Sequence, residues 1–210
     1  MMKIFFLQKN QMNNLLLDVD GVIVRDHVLL NHVKSNIVKY VSKKLPGMKR
    51  HENINNLLYK AYGHTGLGLQ AEFDIDTRDF NNYVYNKYLI AHLHDYLLVN
   101  ENFNRDKRIL REICDSHKVS FFSNAPLNWT EPIREAIDLR ITNTFDNIKP
   151  NIDSYTKFGT DEEFIFVDDK MENLKPTIFL PNWTPIHYTD KPESQYIRNI
   201  QDLSVLCSKS

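Results

Sequence analysis

Two aspartates stand one residue apart in Asp18-Val19-Asp20-Gly21-Val22, directly after the apolar run Leu15-Leu16-Leu17. Residues two apart in a strand project to the same side, so both carboxylates face one space. Two such charges at the mouth of a buried strand are costly unless a cation or a chemical task answers them. At the carboxyl end of a parallel strand, that space is the crevice where α/β proteins bind ligands. Gly21 lets the backbone turn sharply and approach a ligand there. The pattern predicts a nucleophile at Asp18, a second acid at Asp20 and a metal between them.

Two further apolar runs end in polar residues. Val119-Ser120-Phe121-Phe122 leads into Ser123-Asn124, and Phe164-Ile165-Phe166-Val167 leads into Asp168-Asp169, with Lys149-Pro150 between them. In a parallel sheet all three strand ends share one edge, so these groups converge. The set suits phosphoryl transfer. A carboxylate can attack phosphorus, and a neighbouring acid can protonate the leaving oxygen and later deprotonate water. A lysine, a hydroxyl and backbone N–H groups can hold the phosphoryl oxygens. The oxygen-rich donor set points to Mg²⁺.

Simpler readings fail on particulars. A calcium-binding EF-hand loop needs glycine and glutamate where Ile23 and Leu29 stand. Gly63, Gly66 and Gly68 do not follow a strand and lack the Lys-Ser/Thr of a phosphate loop, so they predict a turn or a substrate loop. His92 and His94 would point apart on a helix. His64 lies in the glycine loop expected to face the site and is a candidate substrate contact. Trp129 suits either core packing or the site entrance.

The elements that must position these groups follow from periodicity. Val33, Ile37, Val41 and Leu45 recur every four residues, a helical stripe stopped by Pro46-Gly47. Ile54, Leu57, Leu58 and Tyr62 predict a second helix. Phe80, Val84 and Tyr88 open a third stretch running to Tyr96. Residues 27–104 thus show helical signal alone, too long for a simple crossover. Ile109, Leu110 and Ile113 predict a helix before the second strand, and Pro132 to Leu139 a short one after it. Pro185-Ile186-His187-Tyr188 reads as a last, edge strand.

Composition bounds the partners. A 210-residue chain with 42% hydrophobic and 25% charged residues fits one α/β domain with an insert. A formal net charge of -1 gives no basic footprint for a nucleic-acid polymer or a membrane surface. Cys114 and Cys207 lack CxxC spacing, which predicts a reduced, cytoplasmic setting. Met1 to Leu7 holds an apolar stretch of about five residues, short of the roughly 7–15 of a signal peptide.

The four motifs Leu16-Leu17-Asp18-Val19-Asp20-Gly21, Phe121-Phe122-Ser123-Asn124, Lys149-Pro150 and Phe166-Val167-Asp168-Asp169 resemble, in order, those of the haloacid-dehalogenase-like (HAD) superfamily. The resemblance covers roughly residues 14–190, with two departures: Asp146 to Lys149 is compressed relative to the family, which predicts a short third core strand, and Pro176 breaks the helix that the family places after Asp169. It implies an α/β, Rossmann-like core with a parallel sheet, residues 1–26 and 105–210, and an α-helical cap, residues 27–104, inserted after the first motif. It further implies that Asp18 is the nucleophile, Asp20 the general acid/base, Ser123 a phosphoryl ligand and Lys149 the residue that steadies both. Mg²⁺ would be held by Asp18, the Asp20 carbonyl and Asp169, with Asp168 assisting. Gly21, Asn124 and His64 would contact substrate. Tyr59 to Leu69, with its Tyr-Lys-Ala-Tyr-Gly start, is similar to a cap stretch of the pyrimidine 5′-nucleotidase-like group, as are Phe122 to Ala125 and Asp168-Asp169 with Asn173. A Mg²⁺-dependent phosphomonoesterase acting on a small phosphorylated metabolite, first a nucleoside 5′-monophosphate, is the expectation. A sugar-phosphate phosphatase, a phosphomutase and a catalytically silent phosphate-binding scaffold are the alternatives. Oligomeric state is not legible.

Overall fold

The computed structural model describes residues 13–143, 148–192 and 194–207. The signal-peptide comparison on Met1 to Leu7 and the remark on Asp146 lie outside the described residues. Six parallel strands form one sheet in the order β3-β2-β1-β4-β5-β6: β1 (Asn13–Leu17), β2 (His117–Phe121), β3 (Thr142–Asn143), β4 (Phe164–Asp168), β5 (Trp183–Tyr188) and β6 (Arg198–Ile200). β1 is central, with Leu17 opposite Phe121 on one side and Val167 on the other. This register brings the ends of β1, β2 and β4 level, as the convergence argument requires. β3 is only two residues long.

The chain from β1 to β2 is helical: α1 (His27–Lys44), α2 (His51–Tyr62), α3 (Thr65–Phe73), α4 (Thr77–Val84), α5 (Lys87–Val99) and α6 (Glu101–Ile113). Asp26 caps α1 by accepting from the N–H groups of Val28 and Leu29, and Lys43 and Lys44 sit in its last turn, where the helix dipole favours cations. The stretch expected from Phe80 to Tyr96 is two helices. Asn86 breaks it by accepting from the N–H groups of Tyr88 and Leu89 as a fresh N-cap.

The glycine loop is corrected more thoroughly. Only Gly63, at φ 71°, turns the chain; α3 starts two residues later and contains Gly66 and Gly68. A Cβ on Gly66 would meet Phe80 at 2.7 Å, and one on Gly68 would meet Leu58 at 2.9 Å. Those glycines serve close helix packing. β5 is also not the edge, since β6 pairs with Ile186, His187 and Tyr188. Pro185 lies within β5, one position before that pairing begins, so on the β6 side no ladder bond is asked of its nitrogen.

Alternation along β1 divides the core. Leu15 and Leu17 join the larger cluster, which runs into the helical insertion and includes Val33, Phe80, Leu93 and Phe103. Leu16 faces the other way, into a cluster with Phe122, Tyr155, Phe164, Phe166 and Trp183, where Phe164 and Trp183 stack at 5.0 Å. α7 (Leu127–Ile137) follows β2, α8 (Ile152–Thr156) precedes β4, and the short α9 (Met171–Leu174) passes at Lys175–Phe179 into a 3₁₀ turn containing Pro176. Cys114 and Cys207 are free thiols. No helix among the described residues is long and apolar enough to cross a membrane.

Candidate active site

The loop after β1 is held by its own backbone. Ile23 and Val24 both donate to the Val19 carbonyl, and Gly21 donates to that of Val24. Asp18 is tied to β4 through its N–H to the Val167 carbonyl, at 2.9 Å. Gly21 has φ 97°, and a Cβ there would lie 2.3 Å from the Asp169 carboxyl. The glycine is needed for the turn and for the close approach of that carboxylate.

Lys149 is fully buried between the Phe122 and Phe166 rings, at 5.3 and 5.2 Å. Its Nζ donates to Asp168 and lies 2.9 Å from Asp18 Oδ1. Burial alone would lower the lysine's pKa, but Asp168 and Asp18 outweigh it and raise it. Asp168 is saturated, for it also accepts from the Lys170 N–H and the Asn173 side chain. Asn124 fixes the lysine's backbone. Its Oδ1 accepts from Lys149 N at 2.9 Å, while Nδ2 donates to the carbonyls of Lys149 and Gly63. Ser123 is buried beside it, with Oγ accepting from the Ala125 N–H.

Asp169 contrasts with its neighbour. Its Oδ1 is buried with no hydrogen-bond partner among the described residues. Burial, then Asp18 and Asp168, push its pKa up to about 7. Asp18, Asp168 and Asp169 each present an oxygen, all within 4.8 Å of one another. An orphaned carboxylate oxygen in an all-oxygen cluster fits a hard divalent cation. Asp20 is raised to about 6 by burial and then by Asp18, with a bond from Trp129 and the charge of Lys170 opposing the rise.

Above these groups lies a cavity of about 390 Å³. Asp18, Asp20, Ser123, Asn124, Lys149 and Asp169 line its floor, so the structure gathers these sequence-predicted residues in one place. Gly21 faces Asp169, and Asp168 stands behind Lys149. Leu30, Val33 and Ile37 of α1 and Phe80 of α4 form an apolar wall, and Asn55, Asn56 and Tyr59 of α2 face the same cavity. His64 lines it too, but as the N-cap of α3, with Nδ1 accepting from Leu67 N and its ring edge-on to Phe80. Burial lowers its pKa to about 4, which keeps the ring neutral and able to accept. His92 lies outside this cavity, beside His32 at 5.6 Å.

Sequence reasoning missed Lys170 and undervalued Trp129. Lys170 Nζ donates to the Tyr59 hydroxyl at 3.2 Å, joining the β4 end to the insertion. Its position directly after Asp168-Asp169 was the available signal.

No family model and no curated protein matches the sequence. Solved structures do. A HAD phosphatase from Thermococcus onnurineus is 18% identical at a TM-score of 0.55, covering 93% of this chain and 96% of its own. A predicted phosphoglycolate phosphatase from Haemophilus somnus 129PT is 13% identical at 0.50, covering 94% and 96%. With its six-stranded parallel sheet and helical insertion between β1 and β2, the chain has the haloacid-dehalogenase-like fold.

Proposed function

We propose that the protein is a Mg²⁺-dependent phosphomonoesterase that acts on a small phosphorylated metabolite through a phosphorylated Asp18. The observation that carries this reading is the pairing of Asp18 with a buried lysine on one side and the orphaned Asp169 oxygen on the other. Asp18, Asp169 and the Asp20 carbonyl would hold the cation, with Asp168 behind them. When bound, the ion offsets the repulsion between carboxylate and phosphate and polarises the phosphoryl oxygens.

The chain's own residues supply the rest. A carboxylate oxygen of Asp18 forms a bond to phosphorus as the bond to the leaving-group oxygen breaks. That oxygen takes the proton of the Asp20 carboxyl, whose raised pKa keeps it protonated for part of the time near neutrality. The Asp20 carboxylate then takes a proton from water as the water attacks phosphorus. Asp18 is released as carboxylate, with inorganic phosphate. Ser123 and the Lys149 ammonium hold phosphoryl oxygens during both steps.

Residues 27–104 would form the cap and the remainder the core. The cap's apolar residues, together with the amides of Asn55 and Asn56 in the same cavity, favour a leaving group with a flat, hydrogen-bonding body, and a nucleoside 5′-monophosphate is our first choice. The phosphatase description of the Thermococcus protein agrees with the chemistry. A cytoplasmic setting accords with the free thiols.

The test is phosphate release with Mg²⁺ and with EDTA, across nucleoside monophosphates, sugar phosphates and p-nitrophenyl phosphate. Metal-dependent release highest on nucleoside monophosphates is expected. A maximum on sugar phosphates would keep the chemistry and discard the nucleotide preference. A folded protein that releases phosphate from none of them overturns the proposal.

A further inference from the structure

Trp129 is the largest fully buried side chain, yet its one polar atom is not spent on the core. Nε1 donates to Asp20 Oδ1 at 2.8 Å. The indole is seated from two directions. α7 holds it through its backbone, with buried Thr130 and Ile133 beside it. From the insertion, the Tyr85 ring packs on it at 5.4 Å, and the adjacent Asn128 side chain donates to the Tyr85 carbonyl. Asp20 is pinned at its backbone by the bridge to Val24. The carboxyl therefore has one oxygen held by a rigid donor and the other left for the cavity, which Asp20 lines.

An indole N–H donates only. The oxygen it contacts must offer a lone pair to it, which leaves Oδ2 as the oxygen free to face a leaving group. We propose that Trp129 is a positioning residue for the leaving-group proton transfer: it fixes the rotation of the Asp20 carboxyl so that Oδ2 faces the departing oxygen. Tyr85 extends this control into the insertion, because the same corner that lines the cavity seats the indole. The inference rests on the phosphomonoesterase reading, in which Asp20 hands its proton to the departing oxygen.

A positioning role predicts dependence on the leaving group, which a packing role does not. An alkoxide needs the proton as the phosphorus–oxygen bond breaks, whereas p-nitrophenolate leaves without it. Trp129→Phe keeps a ring in place and removes the donor. Its kcat/KM on an alkyl phosphate should fall by about tenfold or more, a part of what general acid catalysis supplies. On p-nitrophenyl phosphate kcat/KM should fall much less. In an Asp20→Asn background the same substitution should cost nothing further, because the two groups act as one unit. Equal losses on both esters, or an undiminished rate on the alkyl ester, overturn the positioning role. A parent enzyme that releases phosphate from neither ester overturns the phosphatase reading instead, and the acid role with it. Should the Phe variant not fold, the Trp129 indole N–H proton resonance in the intact chain gives the answer. Trp183→Phe identifies it, and it should move on Asp20→Ala; a resonance that stays in place refutes the bond.

Discussion

The sheet edge and the helical insertion meet at one cavity but spend their polar groups differently. At the edge, side chains are committed to one another: Lys149 bridges Asp18 and Asp168, and Asn124 holds the lysine's backbone through both its nitrogen and its oxygen. In the insertion, the polar groups of Asp26, His64, Asp76, Asn86 and Asn100 are used to cap its own helices. The face it turns to the cavity mixes apolar Leu30, Val33, Ile37 and Phe80 with the polar side chains of Lys34, Glu52, Asn55 and Asn56. An interlocked charged network is pre-organised for a developing charge and tolerates little change. A lining outside that network supplies shape and contacts, and can be re-cut without disturbing the chemistry.

The largest test of this division falls on the edge. Asp18→Asn removes the nucleophile while keeping the backbone bond to Val167, so turnover should drop by about 10⁴-fold or more with the circular dichroism spectrum unchanged. Near-parental turnover would end the assignment of chemistry to the edge. Next is Lys149→Met, which strands two buried carboxylates. Breaking a buried ion pair from one side costs about 3–5 kcal/mol, so the urea midpoint should fall sharply. Lys34→Met, on the insertion's side of the cavity and exposed, should change stability by less than about 0.5 kcal/mol. Comparable losses from the two lysines would erase the contrast.

The edge was the more legible half. Asp18/Asp20, Ser123/Asn124 and Asp168/Asp169 each sit where an apolar run stops, so strand and site were announced together. Helices in the insertion were visible from their stripes, but their joints were not. The Gly63–Gly68 segment looked like a loop because close packing of Gly66 on Phe80 and of Gly68 on Leu58 is a tertiary fact. β3 and β6 are too short to leave a pattern, and without β6 the strand holding Pro185 looked like an edge. The Trp129–Asp20 bond spans 109 positions, and nothing local to either residue signals it.

Gly63 tests the joint between the two regions. It has φ 71°, and a Cβ there would lie 2.3 Å from the Lys149 carbonyl oxygen, a backbone atom that Asn124 also holds. Gly63→Ala should cost about 1–3 kcal/mol through strain and clash. It should also reduce kcat, because relief requires moving the backbone that carries Lys149. A stability loss with kcat preserved would mean that the joint serves the fold alone.

The most discriminating test is one of sign, because the two regions should respond to pH in opposite directions. Burial and neighbouring carboxylates raise Asp169 from 3.8 to about 7, so without metal the folded state holds that proton more tightly than the unfolded chain. Its contribution to stability is fully present below the unfolded value and is lost as pH rises through about 7. Burial lowers His64 from 6.5 to about 4, so its contribution is present above 6.5 and is lost as pH falls through about 4. In EDTA, Asp169→Asn should therefore gain melting temperature over the parent as pH is raised from 4 to 7. His64→Asn keeps an N-cap acceptor and should gain over the parent as pH is lowered across 6.5 to 4. Shifts of this size correspond to about 3 kcal/mol across each window, at roughly 1.4 kcal/mol per pKa unit. Adding Mg²⁺ should abolish the Asp169 slope, since the ion replaces the proton on that carboxylate, and should leave the His64 slope untouched. If both slopes respond to the metal, His64 is coupled to the ion site and the insertion does more than shape the cavity.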